Sequence, residues 1–231
     1  MTTMLSVPRK TFFDSPTAGH AQPTAIRVSF AAVDTPIPDR PATKVVDYRL
    51  ARMIRSALRI RPSAPADLAE ITRIYGHAVR HGTGTFELDV PDEAEMAKRR
   101  DGVLAHGLPW LIAEHDGRVL GYAYANHFRP RRAYRFCLED SIYLDETARS
   151  QGVGRVLLAE LLAQCEARGA RQMLAVIGDS ANAGSVGVHR ACGFEDVGVF
   201  KAAGWKFGRW LDVVLMQKAL GEGSATEPRD G

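Results

Sequence analysis

The stretch Arg149-Ser150-Gln151-Gly152-Val153-Gly154 couples a cation to two closely spaced glycines. It lies between an apolar run, Ser141-Ile142-Tyr143-Leu144, and a segment whose spacing predicts a helix from Gly154. At such a strand–turn–helix junction free backbone N–H groups converge, and the positive end of the helix dipole stands behind them. Gly152 and Gly154 remove Cβ atoms where a diphosphate would approach, and Arg149 adds a full charge. The spacing Arg-x-x-Gly-x-Gly is neither the P-loop pattern nor the longer dinucleotide fingerprint. Two further residues could move protons. Glu139 sits two positions before Ser141 in an otherwise apolar strand, although a solvent-facing strand position explains it equally well. Asn182, Ser185, Val186 and His189 recur at i, i+3, i+4 and i+7 and so share a helix face. A histidine satisfied at a helix–sheet boundary is the commoner reason for such a residue. Finally, Phe128-Arg129-Pro130-Arg131-Arg132-Ala133-Tyr134 sets three arginines among aromatics, which is either an oxyacid clamp or a solvated basic loop.

The elements that must position these residues are legible from residue 58 onward. Residues 58–61 read as a short strand, and 65–81 as a helix with Leu68, Ile71, Tyr75 and Val79 as its stripe. A loop with Thr83-Gly84-Thr85-Phe86 follows, then a polar helix over 91–106. Strands at 110–114 and 119–125 are joined by Asp116-Gly117, a hairpin signal. A longer strand spans 134–144, and the helix over 154–168 stops at Gly169. The apolar run 173–177 is a central strand, and 182–191 a helix ended by Gly193. Two last strands cover 194–200 and 210–217. This order predicts an α/β protein: a mixed sheet flanked by helices.

A chain of 231 residues suits one core domain with appendages, here 58–220 between an extension, 1–57, and a flexible tail, 221–231. Residues 1–43 are proline-rich and without periodicity, which predicts disorder. Residues 44–57 predict a short basic helix with Arg49, Arg52 and Arg55 near one face, and Met53 is a candidate true start. The net charge of +3 is uneven: residues 1–57 hold eight Lys/Arg against four Asp/Glu, and 58–231 hold 22 against 23. A near-neutral body argues against nucleic-acid binding. No apolar run is long enough for a membrane span. Cys137, Cys165 and Cys192 lack Cys-x-x-Cys spacing, so neither a disulfide framework nor a metal site is expected, and the cytoplasm is the expected compartment.

The glycine loop is similar to the coenzyme A diphosphate loop of the GCN5-related N-acetyltransferases. Over 58–220 the chain more closely resembles one subgroup, the phosphinothricin and methionine-sulfoximine N-acetyltransferases. The resemblance is carried by Trp110-Leu-Ile-Ala-Glu, Arg129-Pro-Arg-Arg-Ala-Tyr134, Glu139-Asp-Ser-Ile-Tyr143, Arg149-Ser-Gln-Gly-Val-Gly154, Asn182-Ala-Gly-Ser-Val-Gly-Val-His189 and Ala203-Gly-Trp-Lys-Phe-Gly-Arg-Trp-Leu-Asp212. It implies that Ser141, Ile142 and Tyr143 line the strand that hydrogen-bonds the pantetheine arm. Arg149, Ser150, Gln151, Gly152, Val153 and Gly154 would wrap the diphosphate, with Asn182 also on the coenzyme. Glu139 would deprotonate the acceptor amine and His189 take part in proton handling. Arg129, Arg131 and Tyr134 would anchor the acceptor's acidic groups, Phe86 would close the pocket, and Lys206 would reach the same cavity. Two features depart from the subgroup: Phe128-Arg129-Pro130-Arg131 replaces its Trp-Lys-x-Arg form, and Cys137-Leu138 stands where small or polar residues are usual.

The resemblance implies direct acetyl transfer from acetyl-CoA to the α-amine of a small acidic amino-acid analogue, without a metal, in a homodimer built through the strands after Phe194. An ammonium cannot attack a thioester, so a base must take its proton, and the departing thiolate benefits from a proton donor. The alternatives are an acetyltransferase for protein N-termini or aminoglycosides, and a non-catalytic acyl-CoA-sensing module. Arg129 and Arg131 favour an anionic acceptor over the first, and the presence of both Glu139 and His189 argues against the second.

Overall fold

Asp116 and Gly117 both take positive φ, 49° and 75°, the left-handed pair that a two-residue hairpin requires. They fold strand β2 (Trp110–His115) onto β3 (Arg118–His127). The computed structural model containing this hairpin describes residues 58–228. All of them belong to the unit Pro41–Gly231. The expected extension, its basic helix and the Met53 start lie outside the described residues.

Seven strands form one sheet in the order β1-β2-β3-β4-β5-β7-β6, with β1 at Arg59–Pro62, β4 at Cys137–Leu144 and β5 at Gln172–Gly178. Strands β6 (Glu195–Lys206) and β7 (Arg209–Ala219) complete it. Every neighbouring pair is antiparallel except β4 and β5, so the predicted mixed sheet is what forms. Four helices flank it: α1 (Leu68–His81), α2 (Glu93–Ala105), α3 (Val153–Ala167) and α4 (Ala183–Ala191). Asp92 starts α2 by accepting from the Glu95 amide at 2.8 Å.

Alternation along β4 divides the core. Tyr143 meets Tyr75 of α1 edge-on at 4.9 Å and Tyr122 of β3 at 5.3 Å, so odd-numbered β4 residues face α1. Leu144 instead packs against Gly154 of α3, so even-numbered residues face α3 and α4. On that second face Leu157, Leu158, Leu161 and Cys165 are fully buried. Each leucine contributes about 1.5–3 kcal/mol by leaving water.

Three boundaries differ from expectation. The helix expected from residue 65 opens as a 3-10 turn, Pro65–Asp67, because the Asp67 side chain accepts from the Ala64 amide at 2.7 Å and takes two bonds from Arg61. The strand expected from Tyr134 begins at Cys137, since Arg132–Tyr134 form another 3-10 turn. The last two strands run on to meet in a tight hairpin at Phe207 and Gly208, whose φ values are 53° and 70°. In the expected tail, Arg171 gathers Thr226 at 2.6 Å, the Glu227 carbonyl at 3.1 Å and Glu222 at 3.5 Å.

Candidate active site

The parallel strands β4 and β5 are in register only over Cys137–Glu139 and Gln172–Leu174. Beyond these rungs β4 continues to Leu144 and β5 to Gly178, so the two strands part. Backbone groups of residues 140–144 that point toward β5 therefore have no strand to bond, in the middle of a sheet. Ser141, Ile142 and Tyr143 lie on this parted segment, and all three are half-buried.

The parted segment leads through Asp145 into the glycine loop. Asp145 is buried and holds the loop base, accepting from Arg73 at 2.6 Å and from the Thr147 amide at 2.9 Å. Arg149, Ser150 and Gln151 precede the N-cap, Gly152, which has φ 83° and makes no side-chain capping bond. The N–H groups of the first turn of α3 are thus left to a ligand, and that turn carries no acid to compete for them. The two glycines do different work from one another. Gly152 supplies a left-handed backbone, whereas Gly154 is buried, and a Cβ there would stand 3.2 Å from Leu144 Cδ1 and 3.5 Å from Val188 Cγ2. The expectation that both clear space for a diphosphate is corrected at Gly154, which instead lets α3 pack closely on β4 and α4. Val153 is buried behind them.

Glu139 lies at the last rung before the strands part, half-buried and on the α1 face. Burial raises its pKa, the adjacent Asp140 charge raises it further, and Arg129 pulls the other way. A carboxylate so tuned is a stronger base toward an ammonium group. His189 is not beside it. His189 is 2% exposed and bonds Asp140 Oδ2 through Nε2 at 3.0 Å. Since Asp140 follows Glu139 on the strand, the Asp140–His189 pair occupies the opposite face of the sheet. The Nδ1 of His189 donates to the Ser185 carbonyl at 2.7 Å, which leaves Nε2–H to donate to the carboxylate as an imidazolium. Burial alone would lower the histidine pKa, but the Asp140 bond and charge with the Ser185 carbonyl raise it. The structure thus separates the two residues expected to share proton transfer. Asp140 itself was missed; its signal was an acid at an inward-facing position of an apolar strand.

The loop joining β3 to β4 is closed by the Phe128 amide donating to the Cys137 carbonyl at 3.1 Å. It sends its arginines in two directions. Arg129 lies over the Phe128 ring at 4.5 Å and its charge reaches Glu139. Arg132 and Arg135 line a cavity of about 380 Å³ with His106, His127 and Arg168, behind the sheet on the α3 side. Arg131 and Tyr134 are exposed, and the Tyr134 ring stands edge-on to Phe128 at 5.7 Å. Asn182 caps α4, accepting from the Ser185 amide at 3.3 Å and donating to the Gly178 carbonyl at 3.4 Å. Phe86 packs against Gly178 and Gly204. Lys206 is buried and donates to the carbonyls of Gly82 at 3.0 Å and Thr85 at 2.8 Å, so it holds the backbone of the loop that carries Phe86.

Among the described residues no group of three His, Cys, Asp or Glu side chains is placed to hold a metal ion, and no helix is long and apolar enough to cross a membrane. The model of the acetyltransferase (GNAT) family matches residues 70–194. The chain is 51% identical over 189 residues to a phosphinothricin N-acetyltransferase of Alcaligenes faecalis, covering 81% of this chain and 96% of that one. It is 39% identical over 162 residues to an L-methionine sulfoximine/L-methionine sulfone acetyltransferase of Pseudomonas aeruginosa, covering 70% and 94%. Among solved structures, a GNAT superfamily phosphinothricin acetyltransferase from Sinorhizobium meliloti, in complex with AcCoA, superposes with a TM-score of 0.74 at 49% identity. That match covers 76% of this chain and 95% of the other. Parted strands, an uncapped helix start and these likenesses agree: the chain belongs to the GNAT family of acetyltransferases.

Proposed function

We propose that the enzyme moves an acetyl group from acetyl-CoA to the α-amine of a small acidic amino-acid analogue, of the phosphinothricin, methionine sulfoximine or methionine sulfone type. The observation that carries this reading is Glu139, a carboxylate with raised pKa at the last rung before β4 and β5 part, within reach of the Arg129 charge. The names of the relatives point to the same acceptors. Residues 58–220 are the catalytic domain in this reading.

The site fits the coenzyme. The amides at the start of α3, with Arg149 at the loop entrance, are suited to a diphosphate, and the β5-facing backbone groups of residues 140–144 to the two amides of a pantetheine arm. Acetyl-CoA supplies the activated acyl group. Glu139 accepts the proton of the acceptor ammonium, directly or through water, and leaves a free amine to attack. Arg129 and Arg131, with Tyr134, hold the acceptor's acidic groups, and Phe86 forms a wall of its pocket. Backbone N–H groups of the parted β4 segment polarise the thioester carbonyl. His189 supports β4 from behind through Asp140, and does so as a charged residue.

The test is thiol release from acetyl-CoA with methionine sulfoximine as acceptor. Glu139→Gln should lower kcat by about 10²–10⁴-fold, the usual contribution of a general base, while acetyl-CoA still binds. An unchanged rate in that variant would remove Glu139 from the chemistry. The enzyme is further read as a cytoplasmic homodimer. Three free cysteines suit a reducing compartment, and the exposed side chains of the β6–β7 arm suit a subunit contact.

A further inference from the structure

Strand β6 is an exposed edge strand for most of its length, yet it ends on a buried lysine. The change of direction comes at a bulge: the register with β7 slips between Phe200 and Gly204. Asp212 pins the extra residues, accepting from the Ala202 amide at 3.0 Å, Lys201 at 2.9 Å and Ser180 at 2.8 Å. A bulge of this kind re-aims the strand beyond it, and here Gly204 and Lys206 come to face the 82–86 loop.

The contacts made there leave no room for a Cβ unless a neighbour shifts. A Cβ on Gly204 would lie 2.3 Å from two Phe86 ring carbons. A Cβ on Gly178 would lie 2.9 Å from the ring's Cε1 and 2.2 Å from the Thr83 carbonyl oxygen. The Phe86 ring therefore packs against two positions where no Cβ fits without a shift of the ring or of the backbone. Lys206 completes the grip. The residue is 3% exposed, and its ammonium bonds the Gly82 and Thr85 carbonyls and lies 5.0 Å from the centre of the Phe207 ring. Two of its three donors are spent on the loop backbone and the charge rests against an aromatic face. The Thr85 hydroxyl in turn bonds the Tyr75 hydroxyl at 3.1 Å, so the loop is fixed at both ends.

We propose that Lys206, Gly204 and Gly178 form a clamp that fixes Phe86, and that this clamp sets how an acceptor amino acid fits. Lys206 is then a positioning residue, acting on the acceptor through the loop rather than by contact. The inference rests on the reading of Phe86 as a wall of the acceptor pocket.

Steady-state kinetics with methionine sulfoximine test it. Lys206→Met should raise the acceptor KM by about tenfold or more, because a displacement of about 1 Å is costly at such sites. The acetyl-CoA KM should move less than the acceptor KM, since the clamp meets no residue of the glycine loop and reaches the coenzyme side only through Asn182, which bonds the Gly178 carbonyl. Gly204→Ala should raise the acceptor KM similarly, yet add nothing in a Phe86→Ala background, where the ring it strikes is gone. Either an unmoved acceptor KM in both single variants, or a Gly204→Ala effect that persists without the ring, overturns the proposal. Hydrogen exchange gives a readout free of activity: amides of residues 83–87 should exchange faster in Lys206→Met, with α3 unchanged. If the wild type acetylates no amino acid but the exchange result appears, the acceptor reading fails and the clamp stands. If exchange is unaltered, the clamp fails whatever the substrate.

Discussion

Glu139 and Asp140 are adjacent acids that the pleat of β4 turns to opposite faces, and their fates differ accordingly. One is a half-buried carboxylate, the proposed base, that feels the Arg129 charge; the other is a buried partner that raises the His189 pKa. Because the folded-state pKa of His189 is raised above its ordinary value, its contribution to stability is fully present below about pH 6.5. That contribution is lost as pH rises through the raised value. Thermal stability should therefore fall as pH rises above about 6.5 more steeply in the wild type than in Asp140→Asn. At about pH 6 the variant should be less stable by about 3 kcal/mol, as expected when one member of a buried pair is removed. Equal slopes would mean the histidine is neutral in the fold. Asp145 has the opposite sign: its pKa is lowered to about 2, with burial opposed by Thr147 and Arg73, so its contribution fades as pH falls toward that value.

At the scale of elements, the start of α3 depends on one backbone angle. Alanine at Gly152 would adopt φ 83° only with a strain of about 1–2 kcal/mol. Gly152→Ala should thus raise the acetyl-CoA KM and lower Tm together while leaving the acceptor KM in place. A normal acetyl-CoA KM would show that the left-handed cap does not shape the coenzyme loop. The helices and most strands were readable beforehand because their apolar spacing is regular, and Asp116-Gly117 announced its hairpin outright. The second hairpin is hidden in the sequence: Phe207 takes the left-handed position where Asn or Asp is the usual signal, so the pattern predicts shorter strands around it than form. The glycine loop, Glu139 and the arginine loop could be found from residue types. The parting of β4 and β5 could not, because no local pattern records where pairing stops. The side on which His189 falls was hidden for the same reason: helical spacing gives a face but not the strand residue it meets.

Across the whole molecule, the β6–β7 arm is the most exposed apolar region among the described residues. Phe200, Trp205 and Trp210 are 60%, 57% and 62% exposed, and the two tryptophans meet edge-on at 5.3 Å. Such side chains dominate protein interfaces, where truncating one commonly costs about 2 kcal/mol or more. In the proposed homodimer this arm is the contact, so the wild type should sediment as a dimer and the double variant Phe200→Ser, Trp210→Ser as a monomer. A wild type that sediments as a monomer would leave the arm without this partner.

The three-rung seam between β4 and β5 also bears on how long each copy of the enzyme survives. Binding at a cleft of this kind adds stability by mass action, about 2.7 kcal/mol at a hundredfold excess of ligand over Kd. Copies loaded with acetyl-CoA should resist proteolysis, and those made when the acetyl supply is low should be cleared first. The amount of enzyme would then follow the metabolic state of the cell with no regulator beyond the gap in its own sheet.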